Sequence, residues 1–388
     1  MKLRGPDTEA FKILFIPSDV TGVAYWRMKV WADAIGRLPG VSTSLQLYSL
    51  GDQQGNPWQQ EILDNIGMRH SLVRQCGMAD VIVFQKIHFR QSMELIRAIK
   101  NGLRKPVVME IDDDILNLPP DNIASIAYRP GSDYEQHALG QMAISDGMVT
   151  TTGTLKRLYS KYNDNIQVIP NSLNLREWSK TPARHQGIRI GWVGSANHTG
   201  DLELVKGAIR RVLDKFPDVK FYCVHGVPEF FKNQQGVVPV LDWATIDVYP
   251  SWIASFGFDI GIAPLHDNYF NRGKSNLRYL EYASMGIPTV ASNVGHFKET
   301  LNHGHSAFLC DTEDQWVEYL SRLIEDADLR KKMGDAARKD VVVRWNADRN
   351  AKDYLRFLKA VVRKGPAVEP DPLPVDVEAV NEPLILAD

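Results

Sequence analysis

The sequence predicts an α/β protein of two units, each a parallel sheet with helices on both faces. Three observations lead there. At 388 residues the chain is longer than a single α/β core usually grows. Apolar runs of strand length alternate with stretches of helical period. The alternation lapses over a polar segment and then begins again.

In the first unit Lys12–Pro17 (KILFIP) reads as a buried parallel strand, followed by a glycine-containing loop, 18–23. Met28, Trp31, Ala32 and Ile35 then recur at helical spacing. Ser44–Tyr48 and Asp80–Phe84 predict two further strands, and Met93, Ile96 and Ile99 mark the helix after the second. Pro106–Ile111 is a fourth strand and runs into Asp112-Asp113-Asp114. Gly147–Thr150 and Ile166–Ile169 follow, with a helix near Leu155–Tyr162 between them. Residues 1–171 form this unit, and 172–187, polar and without apolar period, form the linker.

The second unit, 188–344, opens with a strand at Ile188–Val193 and a tight loop at 194–198. The next helix places Val205, Ile209, Val212, Leu213 and Phe216 on one stripe, with Thr199 or Asp201 as its N-cap. Strands are expected at Lys220–Val224, Val237–Leu241, Asp259–Ala263, Pro288–Ala291 and Ala307–Leu309. A last helix, 345–364, is expected to cross back to the first unit. Proline and acidic residues dominate 365–388, a composition that predicts a disordered tail.

Composition narrows the function. The apolar share is 44% and the formal net charge −2. A dedicated duplex-DNA binder usually carries a basic excess, because phosphate neutralisation supplies most non-specific affinity. Cys76, Cys223 and Cys310 are too scattered for a disulfide framework or zinc site, and read as small buried hydrophobes. The charged N-terminus and the lack of any apolar run near 20 residues predict a cytoplasmic chain without a membrane span.

The chemistry concentrates between 258 and 290. A buried strand, Phe258–Ala263, feeds a loop ending in Gly273-Lys274-Ser275, read as the start of a helix through Met285. A helix start offers unpaired N–H groups and a partial positive charge to a phosphate. Lys274 adds a full charge and Ser275 a hydroxyl. Glu281 lies further along the same helix, roughly 9 Å at the standard rise. That span suits a carboxylate holding ribose hydroxyls while the helix start holds a diphosphate. Gly-Lys-Ser also belongs to the P-loop, but that pattern needs glycine at 268, where Asn268 stands, and belongs after a domain's first strand.

Pro264-Leu265, Asp267, Phe270-Asn271, Lys274-Ser275, Tyr279, Glu281-Tyr282, Gly286, Pro288 and Val290 together resemble the donor site of family 4-like GT-B glycosyltransferases, especially their compact bacterial and phage branch. Thr21–Arg27 is similar to the glycine loop that faces the donor phosphates, Gly191–Ser195 to the first turn of the donor domain, and Val168–Asn171 to the end of the acceptor domain. The resemblance implies a GT-B fold, two Rossmann-like domains facing across a cleft. It implies transfer of a sugar from a UDP- or GDP-sugar to a hydroxyl, with retention and without a metal or other cofactor. It makes Glu281 the ribose contact and Lys274 and Ser275 the diphosphate contacts. Gly194 and Ser195 become backbone donors, and Gly22 and Val23 the opposing loop. Asn276, Arg278 and His198 complete the candidate donor site.

The chain departs from the family twice. The first of the family's paired glutamates falls at Gly273, so the donor-sugar contact passes to Asp267, Asn271 or the main chain. Where many relatives carry His-Asp, this chain has Asp112-Asp113. These two are candidate catalytic groups with Lys274, orienting or deprotonating an acceptor hydroxyl. The alternatives are a cap on the following turn or a divalent-metal site. The acidic run is expected to stand away from Lys274 and Ser275, in the acceptor half.

Tyr25, Trp26 and Trp58 are candidates for an acceptor groove. The acceptor is a saccharide, a lipid-linked saccharide or a hydroxylated base in phage DNA. The last needs a basic groove, for which Arg69, Arg74, Lys86, Arg90 and Lys100 are the available residues. Two other functions fit the same architecture: a nucleotide-sugar 2-epimerase and a non-catalytic module that binds nucleotide sugar or DNA.

Overall fold

The structure is a computed structural model of the chain, describing residues 9–18, 22–46, 66–86, 90–120, 122–194, 200–224, 226–242 and 244–367. Two six-stranded sheets organise it, each parallel throughout. The first comprises β1 (Phe11–Ile16), β2 (Val41–Leu45), β3 (Val81–Gln85), β4 (Val107–Ile111), β5 (Gly147–Thr150) and β6 (Ile166–Val168), ordered β2-β1-β3-β4-β5-β6. The second comprises β7 (Arg189–Val193), β8 (Lys220–Val224), β9 (Val237–Val240), β10 (Ile260–Ala263), β11 (Thr289–Ser292) and β12 (Ala307–Cys310), ordered β12-β11-β10-β7-β8-β9.

The interior strands β3, β4, β5, β10 and β11, and the edge strand β12, are buried along their whole length. This is why they read as continuous apolar runs: helices cover both faces of a parallel sheet. In each sheet the order reverses beside a central strand, and such switch points open a crevice at the carboxyl ends.

Two expectations shift at the sheet edges. β2 begins at Val41 rather than Ser44, and alternates half-buried with exposed positions, giving a weak signal. β9 ends at Val240, and Leu241 is exposed.

The linker is more ordered than its composition suggests. It holds a short helix, Leu175–Trp178, capped by Asn174 and anchored by the fully buried Trp178. Trp178 packs against Trp26 of the first domain (ring centroids 5.0 Å) and Tyr249 of the second (5.9 Å). The returning chain runs beside the linker, with Leu173 N–H donating to Trp345 O at 2.7 Å and Ala347 N–H to Leu173 O at 3.0 Å. The helix Ala347–Lys364 then lies on the helix Val30–Gly36, where Tyr354 meets Trp31 (5.6 Å) and Phe15 (6.2 Å) edge to face. One apolar cluster therefore runs from β1 through both crossings into the second domain.

Asp201 does not cap a helix. A 3-10 turn, Gly200–Val205, precedes the helix Lys206–Lys215, whose buried face is the predicted stripe. The Asp201 carboxylate accepts instead from His266 N–H and Asn271 Nδ2, both at 3.0 Å, and ties down the loop after β10. Thr199 lies outside the described residues. All three cysteines are buried and free. Among the described residues no helix is long and apolar enough to cross a membrane.

Candidate active site

A cavity of about 450 Å³ opens between the domains, at the carboxyl ends of both sheets. Gly22, Val23, Trp26, Lys86, Asp112, Asp113, Asn122, Tyr128 and Asn171 line it from the first domain. Trp192, Gly194, Lys274, Ser275, Leu277, Arg278 and Phe297 line it from the second. Of the residues singled out in the sequence, the fold thus brings Gly22, Val23, Asp112, Asp113, Gly194, Lys274, Ser275 and Arg278 to one place. Ser195 and His198, like Trp58, lie outside the described residues.

Lys274 and Ser275 do not start a helix. The loop after β10 forms its own short helix, Tyr269–Gly273, capped by Asn268. Lys274 follows it in extended conformation, and the next helix, Leu277–Ser284, begins after Asn276. Lys274 and Ser275 are therefore side-chain donors in a connector, and the helix N-terminus lies just beyond them. The Lys274 ammonium also rests 4.3 Å from the centre of the Phe270 ring.

The acidic run does not stand apart from this segment. Lys274 Nζ pairs with Asp113 Oδ1 at 2.8 Å, across the gap between the domains and 161 positions along the chain. Asp114, rather than Asp112 or Asp113, caps the following turn: its carboxylate accepts from Leu116 N–H (2.9 Å), Asn117 N–H (3.0 Å) and Asn117 Nδ2 (2.8 Å). That use leaves Asp112 and Asp113 on the cavity wall. Burial, and then the neighbouring Asp113, hold the Asp112 carboxyl above the usual range. Burial opposes the charge on Lys86, yet Tyr128, Asp112, Asp113 and Glu110 outweigh it and raise the pKa. Among the described residues no three His, Cys, Asp or Glu side chains converge as a metal site.

Behind the wall lies a buried relay. Arg27 is fully enclosed and pairs with Glu110 of β4, which burial pushes up to about 7 against the effect of that arginine. Arg27 also donates to Asn171 Oδ1 (2.8 Å) and Ile169 O (3.1 Å), and Asn171 Nδ2 donates to Ser275 Oγ at 2.8 Å. A buried cation of the first domain thereby orients a hydroxyl of the second. In the sequence Arg27 enters only as the last residue of the Thr21–Arg27 stretch similar to the glycine loop, with no role of its own.

Glu281 and Asn276 are not on the cavity wall. Glu281 is buried behind it and paired with Arg278, which does line the cavity and also donates to Tyr249 Oη at 3.2 Å. Burial raises the Glu281 carboxyl to about 7. Asn276 is enclosed, with its Nδ2 directed to Thr300 Oγ1 at 3.3 Å. Asp267 and Asn271, the substitutes considered for the missing first glutamate, are engaged elsewhere. Asp267 is held by Arg272 (2.6 and 2.9 Å), and Asn271 donates to Asp201 and to His266 O (3.0 Å each).

Gly273 has a steric explanation. A Cβ there would stand 3.1 Å from Leu155 Cδ2 and 3.6 Å from Asp114 Cβ, because the first domain packs directly onto this residue. Thr152 Oγ1 donates to its carbonyl at 3.1 Å. Introducing the family's carboxylate, Gly273→Glu, should lower the midpoint of thermal unfolding by several degrees, as overpacking and a like charge beside Asp114 predict. Gly273→Ala, which needs only a shift of the Leu155 side chain, should stay within about 1 kcal/mol of the parent in urea unfolding. Gly194 is similarly constrained, since a Cβ would come 2.3 Å from the Trp192 ring.

Comparison with known proteins agrees with this geometry. Residues 206–356 match the family described as glycosyl transferase-like. The N-acetyl-alpha-D-glucosaminyl L-malate synthase of Bacillus anthracis is 27% identical over 86 residues, which is 22% of this chain and 23% of that protein. The match thus spans about a quarter of the curated relative's length. Among solved structures, Anabaena HepE in complex with UDP-glucose superposes over 90% of this chain and 99% of its own (TM-score 0.61, 13% identity). Sucrose-phosphate synthase from Thermosynechococcus elongatus does so over 91% and 99% (TM-score 0.63, 12% identity). By its two facing parallel sheets the chain has the GT-B fold, and residues 206–356, most of its second domain and its last helix, are similar to the glycosyl transferase-like family.

Proposed function

We propose that the chain is a glycosyltransferase that moves a sugar from a nucleotide-diphosphate donor, a UDP- or GDP-sugar, to a hydroxyl. The observation that carries this is the division of labour within one cavity: Lys274, Ser275 and Arg278 on the second domain's wall, and Asp112 and Asp113 on the first's. Negative charge grows on the diphosphate as the glycosidic bond breaks, and a cation already in place stabilises it. The facing carboxylates suit an incoming hydroxyl. Retention and independence of metal are part of the proposal, supported by the family resemblance and by the cationic wall that does the work of a metal. The test is release of UDP or GDP from a panel of nucleotide sugars, with and without saccharide acceptors, and the anomeric proton coupling of the product. Turnover of donor with no acceptor, to an epimer rather than to nucleotide, would mark a 2-epimerase instead. Donor binding without any turnover would mark a binding module.

Charge favours an uncharged acceptor such as a saccharide. Once Lys274 is engaged by phosphate, the described first-domain wall presents Asp112 and Asp113 against one cation, Lys86. Among the described candidates for the basic groove needed for DNA, Arg74 is exposed and does not border the cavity. Lys100 is buried against Asp146 (3.2 Å), Lys86 lies inside the cavity, and the side chains of Arg69 and Arg90 lie outside the described residues.

Glu281 remains our ribose contact, reached once Arg278 turns toward the donor phosphates. A carboxylate accepts from two hydroxyls only when ionised, and burial holds this one at about 7. UDP-glucose, whose phosphates do not titrate near neutrality, should therefore bind more tightly as pH rises from 6 to 8. The gain approaches tenfold per unit only well below the pKa and levels off above it. Glu281→Gln should flatten the profile. An unchanged slope in that variant removes Glu281 from the site.

A further inference from the structure

We propose that the Lys274–Asp113 ion pair is a latch opened by the donor diphosphate, so that donor binding delivers the Asp113 carboxylate to the acceptor and the substrates bind in that order. The inference rests on reading the cavity as a nucleotide-sugar site. It begins from three consecutive contacts between the domains. Gly273 O accepts from Thr152 Oγ1 (3.1 Å), Lys274 Nζ pairs with Asp113 Oδ1 (2.8 Å), and Ser275 Oγ accepts from Asn171 Nδ2 (2.8 Å).

These contacts are not equivalent. Gly273 and Thr152 are both buried and neither borders the cavity, so a ligand there leaves their bond in place. Lys274, Ser275, Asp113 and Asn171 all line it. The cation and the hydroxyl suited to a diphosphate are thus the two groups now engaged by the first domain.

Magnitudes decide the competition. The ion-paired side chains retain 19% and 31% of their exposure, so water screens the pair and its worth is modest. A diphosphate brings two charges and more acceptor oxygens, with Arg278 alongside to share them. It therefore displaces the carboxylate. The Thr152–Gly273 bond keeps the segment in register, and Asp113 stays in the cavity beside Asp112. Before the exchange Asp113 Oδ1 is engaged by the Lys274 ammonium. After it, that oxygen can accept from a hydroxyl of the acceptor.

Calorimetric titration of UDP and of GDP into the full chain tests this, comparing wild type, Asp113→Asn, Lys274→Met and the double variant. Asp113→Asn should tighten the nucleotide that binds by roughly two- to fivefold, since the carboxylate then no longer competes for Lys274. The gain should vanish in the Lys274→Met background, where there is no latch to open. With UDP-glucose as donor, Asp113→Asn should lower KM while reducing kcat for UDP release by roughly tenfold or more. Asp113→Ser repeats the comparison should the asparagine form be unstable. Unchanged or weaker nucleotide affinity in Asp113→Asn overturns the latch. So does an equal gain with and without Lys274, which would reveal simple repulsion between Asp113 and the phosphates. If neither UDP nor GDP binds the wild type, the nucleotide-sugar reading itself fails, a result distinct from a latch that fails on a protein that binds donor.

Discussion

Lys274→Ala should lower kcat for sugar transfer by about 10²- to 10³-fold, the range seen when one preorganised stabiliser of a developing charge is removed. The argument starts from position. Lys274 Nζ sits on the cavity wall, held in an extended connector between two short helices, and its backbone cannot swing without breaking the Thr152–Gly273 bond. As the bond from sugar to phosphate breaks, the leaving diphosphate gains charge that a fixed ammonium takes up without reorganisation. Arg278 is the only other described cation on that wall, and Glu281 and Tyr249 hold it. It compensates in part, which keeps the loss from being larger. Lys274→Arg should recover some rate, because charge is kept while geometry changes. The fold should survive, since the lost ion pair is partly exposed and worth under about 1 kcal/mol. Wild-type turnover to within a few-fold, at saturating donor and with unchanged thermal unfolding, would take Lys274 out of the chemistry.

The largest effect on stability is expected at Arg27. Arg27→Ala should cost about 3–5 kcal/mol in urea unfolding, the usual penalty for leaving one member of a buried ion pair alone. Arg27 and Glu110 are both fully enclosed, and Glu110 Oε2 has no hydrogen-bond partner among the described residues. Burial already lifts the Glu110 carboxyl to about 7 despite the arginine beside it. Without Arg27 it rises further, so the folded variant holds a proton that the unfolded chain releases above its ordinary pKa. Stability then falls as pH rises from 5 to 8, because the folded state binds more protons across that window. The deficit should be smallest at pH 5, and Arg27→Ala/Glu110→Gln should be more stable than Arg27→Ala alone. A loss below about 1 kcal/mol at pH 8 would mean that the pair is dispensable. The same substitution removes the donor to Asn171 Oδ1, so the hydroxyl of Ser275 loses its indirect anchor and donor affinity should fall as well.

The two-sheet architecture was legible because burial on both faces of a parallel strand leaves a local mark. β4 (VVMEI) and β10 (IGIA) are apolar or small at nearly every position, and the helix stripe at Val205, Ile209, Val212 and Leu213 carries its period openly. The placement of Lys274, Ser275 and Arg278 on one wall of the cavity was legible for a similar reason, since they lie within five positions of one another after a recognisable strand. β2 was misplaced because an edge strand with alternating exposure looks like a loop. The linker helix was missed because its single anchor, Trp178, stands among polar neighbours.

Pairings between distant segments left no such mark. Asp113 meets Lys274, Asn171 meets Ser275 and Leu155 meets the bare face of Gly273 only after two sheets are folded and set against each other. A periodic pattern records which side of an element is buried, and a cluster of polar residues records a loop that can bind. Neither records which charge lies opposite, because Coulomb energy depends on distances through space that local preferences do not contain. That is why most strands and helices and the polar segment at 274–278 were readable from residue order, whereas the ion pair joining the two halves of the cavity emerged only from the packed chain.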